Sequence, residues 1–218
     1  KSYKDLPIRL AETSTLFRNE DSGEMHGLTR VRQFTISEAH LIVRPDQMDE
    51  EFKGCIDLAR YCLKTLGIEE DVTYRLSKWD PNNKEKYIGT EEVWEDTQNR
   101  IRKVLIELGI PFTEADGEAA FYGPKVDIQA RNVYGKEDTI ITIQWDAILA
   151  EQFDMYYIDQ NGNKVRPYII HRTSVGCYER TLALLIEKYA GLFPTWLCPE
   201  QVRVLPISEK YHDYAKKV

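Results

Sequence analysis

The chain has 218 residues with 29 Lys or Arg against 36 Asp or Glu, a formal net charge of -7, and 42% hydrophobic residues. That length supports one large domain, or one domain with part of another, around a core that needs no disulfide or metal staple. The acidic balance excludes a protein that coats nucleic acid by bulk charge, because non-specific binding rests on many phosphate contacts, so any nucleic acid must be met by local basic features.

The cysteines Cys55, Cys62, Cys177 and Cys198 form no CxxC pair, and Cys55 and Cys62 fall inside an amphipathic helical pattern, as buried thiols do. A reduced, cytoplasmic protein is the reading. No apolar run approaches the roughly 18 residues of a membrane span, and the start at Lys1 lacks both a signal peptide's apolar core and an initiator methionine. The expectation is a piece of a longer chain, cut at both ends.

In chain order, Phe17 to Phe34 (FRNEDSGEMHGLTRVRQF) comes first, packing Arg18, Arg30 and Arg32 around a loop with two glycines and several acids. Two readings stand side by side. The guanidiniums make bidentate contacts to phosphate with Phe34 stacking on a base, or the loop is a solvated hairpin whose arginines pair with Glu20, Asp21 and Glu24. Alternation over Phe34 to Val43 then predicts a strand with Phe34, Ile36, Glu38, His40 and Ile42 on one face. A helix follows over Met48 to Leu66, with Phe52, Cys55, Ile56, Ala59, Cys62, Leu63 and Leu66 on its stripe.

A second helix is predicted over Thr90 to Leu108, capped by Thr90, with Val93, Thr97, Ile101, Val104 and Leu108 inward. Tyr122 to Asp127 reads as a turn into a strand with a partly buried tyrosine. Thr139 to Asp146 is a strand that puts Ile140, Thr142, Gln144 and Asp146 on one face and Ile141, Ile143 and Trp145 on the other. Asn161-Gly162 marks a hairpin. Pro167 to His171 is a strand entering a helix over Ser174 to Ala190, with Leu182, Leu185, Ile186 and Tyr189 inward, Gly176 open to close approach by a ligand, and Gly191 as the stop. After the break at Pro194 to Pro199, Val202 to Ile207 reads as a new strand and Ser208 starts a short helix, so a domain boundary is placed near Pro199. Hairpin-joined strands with helices inserted as blocks favour an α+β fold with a mainly antiparallel sheet.

Neither GxxxxGK[ST] nor GxGxxG after a strand is present, so a bound nucleotide would lie on a sheet surface between arginines such as Arg18 and Arg180. His40 and His171 are either hydrogen-bonded core residues or metal ligands. From spacing alone they fall short of a zinc set, which takes three protein ligands with an open position or four without.

Taken together, Ser2 to Phe34 and Arg166 to Ile207 (RPYIIHRTSVGCYERTLALLIEKYAGLFPTWLCPEQVRVLPI), with EAAFYGPKVDIQ and TIQWD between them, resemble the class II aminoacyl-tRNA synthetases and, within that class, the threonyl-tRNA synthetase family. The first segment is similar to motif 2 and the second to motif 3 leading into an anticodon-binding domain. The resemblance implies a class II synthetase-like antiparallel sheet flanked by helices over residues 1–198, and the beginning of an α/β anticodon-binding domain over residues 199–218. It implies a threonine-tRNA ligase that activates threonine with ATP and transfers it to tRNA, with Mg2+ and Zn2+, as a homodimer.

By resemblance, Arg18 bridges the α-phosphate and the amino acid carboxylate, Glu20 lies near the adenine, Phe34 stacks on it, and Arg180 meets the triphosphate. Arg30 and Arg32 meet ATP and the tRNA acceptor end. Lys125, Thr142 and Gln144 lie near the adenylate. Glu38 and Tyr122 sit at the amino acid, and His40 and His171 are two of three protein ligands to zinc. A zinc ion that takes both the amino group and the hydroxyl rejects valine, which an apolar pocket separates from threonine by only about a hundredfold. Serine still fits, which implies an editing domain elsewhere.

The third ligand is a cysteine expected upstream, and neither it nor motif 1 is in these residues; weak or no aminoacylation by the fragment follows as an expectation. Glu38 stands where the family has aspartate, Ile36 where it has an amide, Thr139 where glutamine is common and Cys177 where serine is common. Two rivals follow from these departures: a ligase for another small amino acid such as serine, and a synthetase-like binding module without activity.

Overall fold

The structure, a computed structural model, describes residues 1–218. Its strands are β1 (Ile8–Phe17), β2 (Gln33–Val43), β3 (Val72–Ser77), β4 (Phe112–Ala115), β5 (Lys125–Arg131), β6 (Glu137–Asp146), β7 (Tyr157–Ile158), β8 (Lys164–Val165) and β9 (Tyr168–Cys177). The helices are α1 (Met48–Leu66), α2 (Glu91–Glu107), α3 (Leu149–Gln152), α4 (Tyr178–Tyr189) and α5 (His212–Ala215). Seven strands form one sheet in the order β1-β2-β9-β6-β5-β3-β4, antiparallel except for the parallel pair β3 and β4. This is the α+β architecture that the hairpin and helix pattern implies.

Period two assigns one face of the sheet to the core. Ala39, Leu41 and Val43 of β2 and Ile141, Ile143 and Trp145 of β6 are buried together with Met48, Phe52, Ile56 and Leu63 of α1. Each large side chain so buried contributes about 1.5–3 kcal/mol, and α1, with both ends as the sequence implies, is held by this face. In α2 the Thr90 hydroxyl accepts from the Val93 N–H, which makes the predicted cap. The inward stripe is rotated at its start, however: Val93 is exposed and Trp94 buried, because Trp94 stacks on Trp79 in a small aromatic cluster of its own.

Several expectations are corrected. Helix α4 begins at Tyr178 rather than Ser174, because residues up to Cys177 still pair with β2, with Ser37 opposite Gly176 and Ile36 opposite Cys177. Leu185 of that helix is buried, yet Leu182 and Ile186 are about two-fifths exposed (43% and 41%), since the sheet covers only part of the apolar stripe. The left-handed turn that ends the helix begins one residue before the expected stop, at Ala190 (φ 48°), and includes Gly191 (φ 81°). Finally, Val202 to Ile207 is not a strand: no segment lies beside it to accept its hydrogen bonds, and Val202, Val204, Leu205 and Ile207 are exposed. The helix after Ser208 shrinks to a turn over Glu209–Tyr211 and the four residues of α5. No helix is long and apolar enough to cross a membrane.

Candidate active site

The face of the sheet opposite the core carries two rows of polar side chains, and strand register aligns them. One row runs Lys125, Gln144, His171, His40 across β5, β6, β9 and β2. The next runs Arg75, Asp127, Thr142 across β3, β5 and β6, and continues through Thr173, whose hydroxyl accepts the Thr142 N–H at 3.0 Å, to Glu38 opposite Thr173. Residues from distant parts of the chain thus meet because each strand offers every second side chain to this face.

Beyond these rows the loop between β1 and β2 folds over the sheet. The Arg18 N–H donates to the Arg32 carbonyl at 2.8 Å, and Arg32 Nε to the Glu20 carbonyl at 2.9 Å. Arg30 donates to Glu20 at 2.9 Å and to Glu24 at 3.2 Å, and the hydrogen bond from Arg30 holds the Glu20 carboxyl below the ordinary carboxylate value. The two readings of the loop therefore divide between its arginines. Arg30 is paired with acids, whereas Arg18 and Arg180 have no carboxylate partner.

Arg18 lies over the Phe34 ring, 5.2 Å from its centroid, and Phe34 is buried. Arg180 donates from Nε to the Thr29 carbonyl at 3.0 Å and from a terminal nitrogen to the Thr139 carbonyl at 2.8 Å. Both guanidiniums line one cleft of about 230 Å³, together with Glu20, Arg30, Phe34 and Thr142. Two guanidiniums without carboxylate partners, one of them held by two backbone carbonyls, line one recess and favour an anionic ligand of phosphate or carboxylate type.

Gly176 also lines this cleft, but its role differs from the one expected. A Cβ there would stand 1.8 Å from the Ile140 carbonyl oxygen, and its φ is +77°. The missing side chain admits the neighbouring strand rather than a ligand.

The histidines form a second group. The His40 and His171 rings lie edge to face with centroids 4.8 Å apart, and the Tyr122 ring is 5.4 Å from His171. His171 Nε2 is 2.9 Å from Oδ2 of the fully buried Asp146, whose Oδ1 accepts the N–H groups of Ile148 and Leu149 at the start of α3. Burial, and then the neighbouring His171, push His40 below the ordinary imidazole value. Tyr122 donates to Gln144 Oε1 at 3.0 Å, and Gln144 Nε2 to the Gly123 carbonyl at 3.3 Å.

This chemistry fits a zinc ion in part. Neutral imidazole is the ligating form, and a buried carboxylate that orients a histidine is a common support for one. Two imidazoles are one short of an open catalytic set, and no group of three or more His, Cys, Asp or Glu is arranged to hold a metal. Glu38 accepts from Ser14 at 3.2 Å, toward the edge strand.

The thirteen residues given roles from the sequence lie on this side of the sheet, in the loop above it, in the turn before β5 (Tyr122) or on α4 (Arg180). The sequence reading missed Asp127, fully buried at the centre of the second row. Alternation from Lys125 through Asp127 was the available signal, and it needed the placement of β5 between β3 and β6 to be legible.

The profile of the tRNA synthetase class II core domain (G, H, P, S and T) matches residues 1–189. The chain belongs to this family. Within the class II core family it is 68% identical over 217 residues to a protein of Clostridium botulinum (strain Eklund 17B / Type B) named threonine--tRNA ligase, covering 100% of this chain and 34% of that protein. A threonine--tRNA ligase of Geobacillus sp. (strain WCH70) is 50% identical over 218 residues, with 34% of its length covered. The fold matches the crystal structure of the RNA binding domain of threonyl-tRNA synthetase from Cryptosporidium parvum Iowa II with a TM-score of 0.91 at 38% identity, over 99% of this chain and 53% of that one. The chain spans about a third of the length of the curated relatives it matches. The class II synthetase fold expected from the sequence is therefore the fold observed.

Proposed function

We propose that this chain is much of the catalytic core of a threonine-tRNA ligase. The observation that carries the reading is the pair Arg18 and Arg180, both without carboxylate partners and both lining the cleft that Glu20, Phe34 and Thr142 complete. In the first step a threonine carboxylate oxygen attacks the α-phosphorus of ATP, and pyrophosphate leaves. In the second a terminal ribose hydroxyl of tRNA attacks the adenylate carbonyl, and AMP leaves.

Arg18 spans the α-phosphate and the threonine carboxylate, and Arg180 meets the triphosphate. Charge builds on phosphate oxygens during attack, so fixed guanidiniums stabilise the transition state by position and field, with no covalent protein intermediate. Glu20 accepts from the adenine amine, and Phe34 supplies an aromatic surface to the base. Arg30, paired with Glu20 and Glu24, orients Glu20 as much as it meets ATP. Lys125, Thr142 and Gln144 bound the adenylate, while Tyr122 and Glu38 bound the amino acid.

Mg2+ accompanies ATP. His40 and His171 would hold zinc with a third ligand from outside these residues; when bound, zinc would supply a Lewis acid that distinguishes a hydroxyl-bearing side chain from an aliphatic one. tRNA and a second subunit are the proposed partners, and residues 199–218 are the proposed start of an anticodon-binding domain after a core over residues 1–198. With two protein ligands to the metal, the 218-residue chain alone is weakly active or inactive.

The test is zinc content together with amino-acid-dependent ATP to pyrophosphate exchange, comparing this chain with one extended upstream through a cysteine. Exchange that appears with the extension and prefers threonine over valine and serine supports the reading. Exchange with serine alone, or none from a zinc-loaded extended chain, overturns it.

A further inference from the structure

Asp127 and Asp146 are both fully buried carboxylates on the polar side of the sheet. Asp146 accepts two backbone N–H groups at the start of α3 and orients His171, whereas Asp127 has no such task. Its Oδ1 accepts from the Thr142 hydroxyl at 2.9 Å, and its Oδ2 from the Ser77 hydroxyl at 2.7 Å and the Lys125 ammonium at 2.9 Å, with Arg75 more distant at 3.4 Å. Both oxygens are thus filled by donors, which is what a carboxylate withdrawn from water requires. Three strands supply them: Arg75 and Ser77 lie on β3, Lys125 on β5 itself and Thr142 on β6.

The carboxylate therefore joins a residue that lines the arginine cleft, Thr142, to the ammonium of a lysine whose side chain is 23% exposed. A lysine head on its flexible stem otherwise samples many positions. Ordering it before ligand arrives removes that entropy from the binding step.

We propose that Asp127 is a positioning residue, fixing the Lys125 ammonium beside the cleft so that it meets a phosphate of the nucleotide without reorganising. Asp127 touches no ligand itself. The inference rests on the ATP-dependent reading above and adds a residue which that reading does not use.

The experiment measures ATP affinity by titration calorimetry for the 218-residue chain, K125A, D127N, S77A and the double variants D127N/K125A and S77A/K125A. In parallel, the Lys125 ammonium is followed by 15N NMR without ATP. K125A and D127N each weaken ATP binding about tenfold, as loss of a charge-assisted hydrogen bond does. The double variant D127N/K125A binds no more weakly than K125A, because Asp127 acts through Lys125. The ammonium signal is protected in the wild type and lost in D127N. S77A, outside the cleft, weakens binding about threefold, and only while Lys125 is present.

A D127N penalty that persists undiminished on the K125A background makes Asp127 merely structural and overturns the inference, as does D127N binding ATP like the wild type. If D127N does not fold, S77A with and without Lys125 decides by the same criterion. A wild type whose Lys125 signal is protected but which binds no ATP overturns the proposed function, and the inference falls with it; that result is distinct from one in which ATP binds and D127N has no effect.

Discussion

The Arg180 guanidinium donates to the carbonyl of Thr29 at 3.0 Å across 151 residues of sequence, so helix α4 holds the loop that carries Arg18, Glu20 and Arg30. Its other contact, to Thr139 at 2.8 Å, fixes the same group to β6. A single side chain thus links loop, helix and sheet while its charge stays uncompensated. R180A is expected to weaken ATP binding by about tenfold or more and to raise amide hydrogen exchange at Thr29 and Arg30. R180K keeps the charge but not the planar fork, and recovers only part of the affinity. Calorimetry and exchange mass spectrometry on the same samples check both; unchanged exchange in R180A would show that the loop holds itself.

Gly176 makes a different kind of prediction, about folding. Its φ of +77° strains any side chain, and a Cβ would lie 1.8 Å from the Ile140 carbonyl oxygen, which is backbone and does not rotate away. G176A is expected to destabilise the chain by about 3 kcal/mol or more, with both the left-handed backbone and the steric contact contributing. A urea unfolding midpoint equal to that of the wild type would contradict this.

Glu114 lends itself to a pH test away from the cleft. Arg102 holds it with bonds of 2.6 and 3.0 Å, Lys78 adds a third at 3.0 Å, and the Arg102 hydrogen bond is the main reason its carboxyl is pushed down to about 2 from an ordinary 4.5. A depressed carboxylate stabilises the fold above its unfolded value and loses that contribution as pH falls through its folded one. With its side chain 30% exposed, solvent screening leaves about 1 kcal/mol. E114Q is expected to unfold at lower urea than the wild type at pH 7, with the gap narrowing below pH 4.5 and closing near pH 2. A gap independent of pH would place the effect in packing.

The parts of the fold that the sequence made legible are those with a strong local period. Met48 to Leu66 and the faces of β2 and β6 follow from spacing alone, because each buries one continuous stripe or face. Where tertiary contact competes with local pattern, the reading slipped. Trp94 turned inward to meet Trp79, Ser174 to Cys177 stayed in the sheet because β2 lies beside them, and Val202 to Ile207 found no neighbour. The polar residues of the site stood out as a file on one face, yet their meeting depends on strand order. Nothing local says that β5 lies beside β6, so Asp127, which joins Lys125 to Thr142 only through that neighbourhood, was not recognisable from the sequence.

The histidine pair carries the last prediction. His40 and His171 stand opposite each other on adjacent strands, and Asp146 holds one ring by its Nε2 at 2.9 Å. Two imidazoles without a third protein ligand give a weak zinc site, since an open catalytic set has three. The 218-residue chain is therefore expected to lose zinc to a chromogenic chelator, with its thermal midpoint unmoved by the chelator, because the sheet is held by the core and not by the metal. Either H40A or H171A removes the residual binding, and D146N weakens it by about 10-fold or more, because the carboxylate sets the orientation of the ring. In a chain extended through an upstream cysteine, cobalt in place of zinc should give a tetrahedral thiolate spectrum that either histidine variant abolishes. A tight site in the short chain that survives loss of both histidines would place the metal elsewhere and detach the pair from that role.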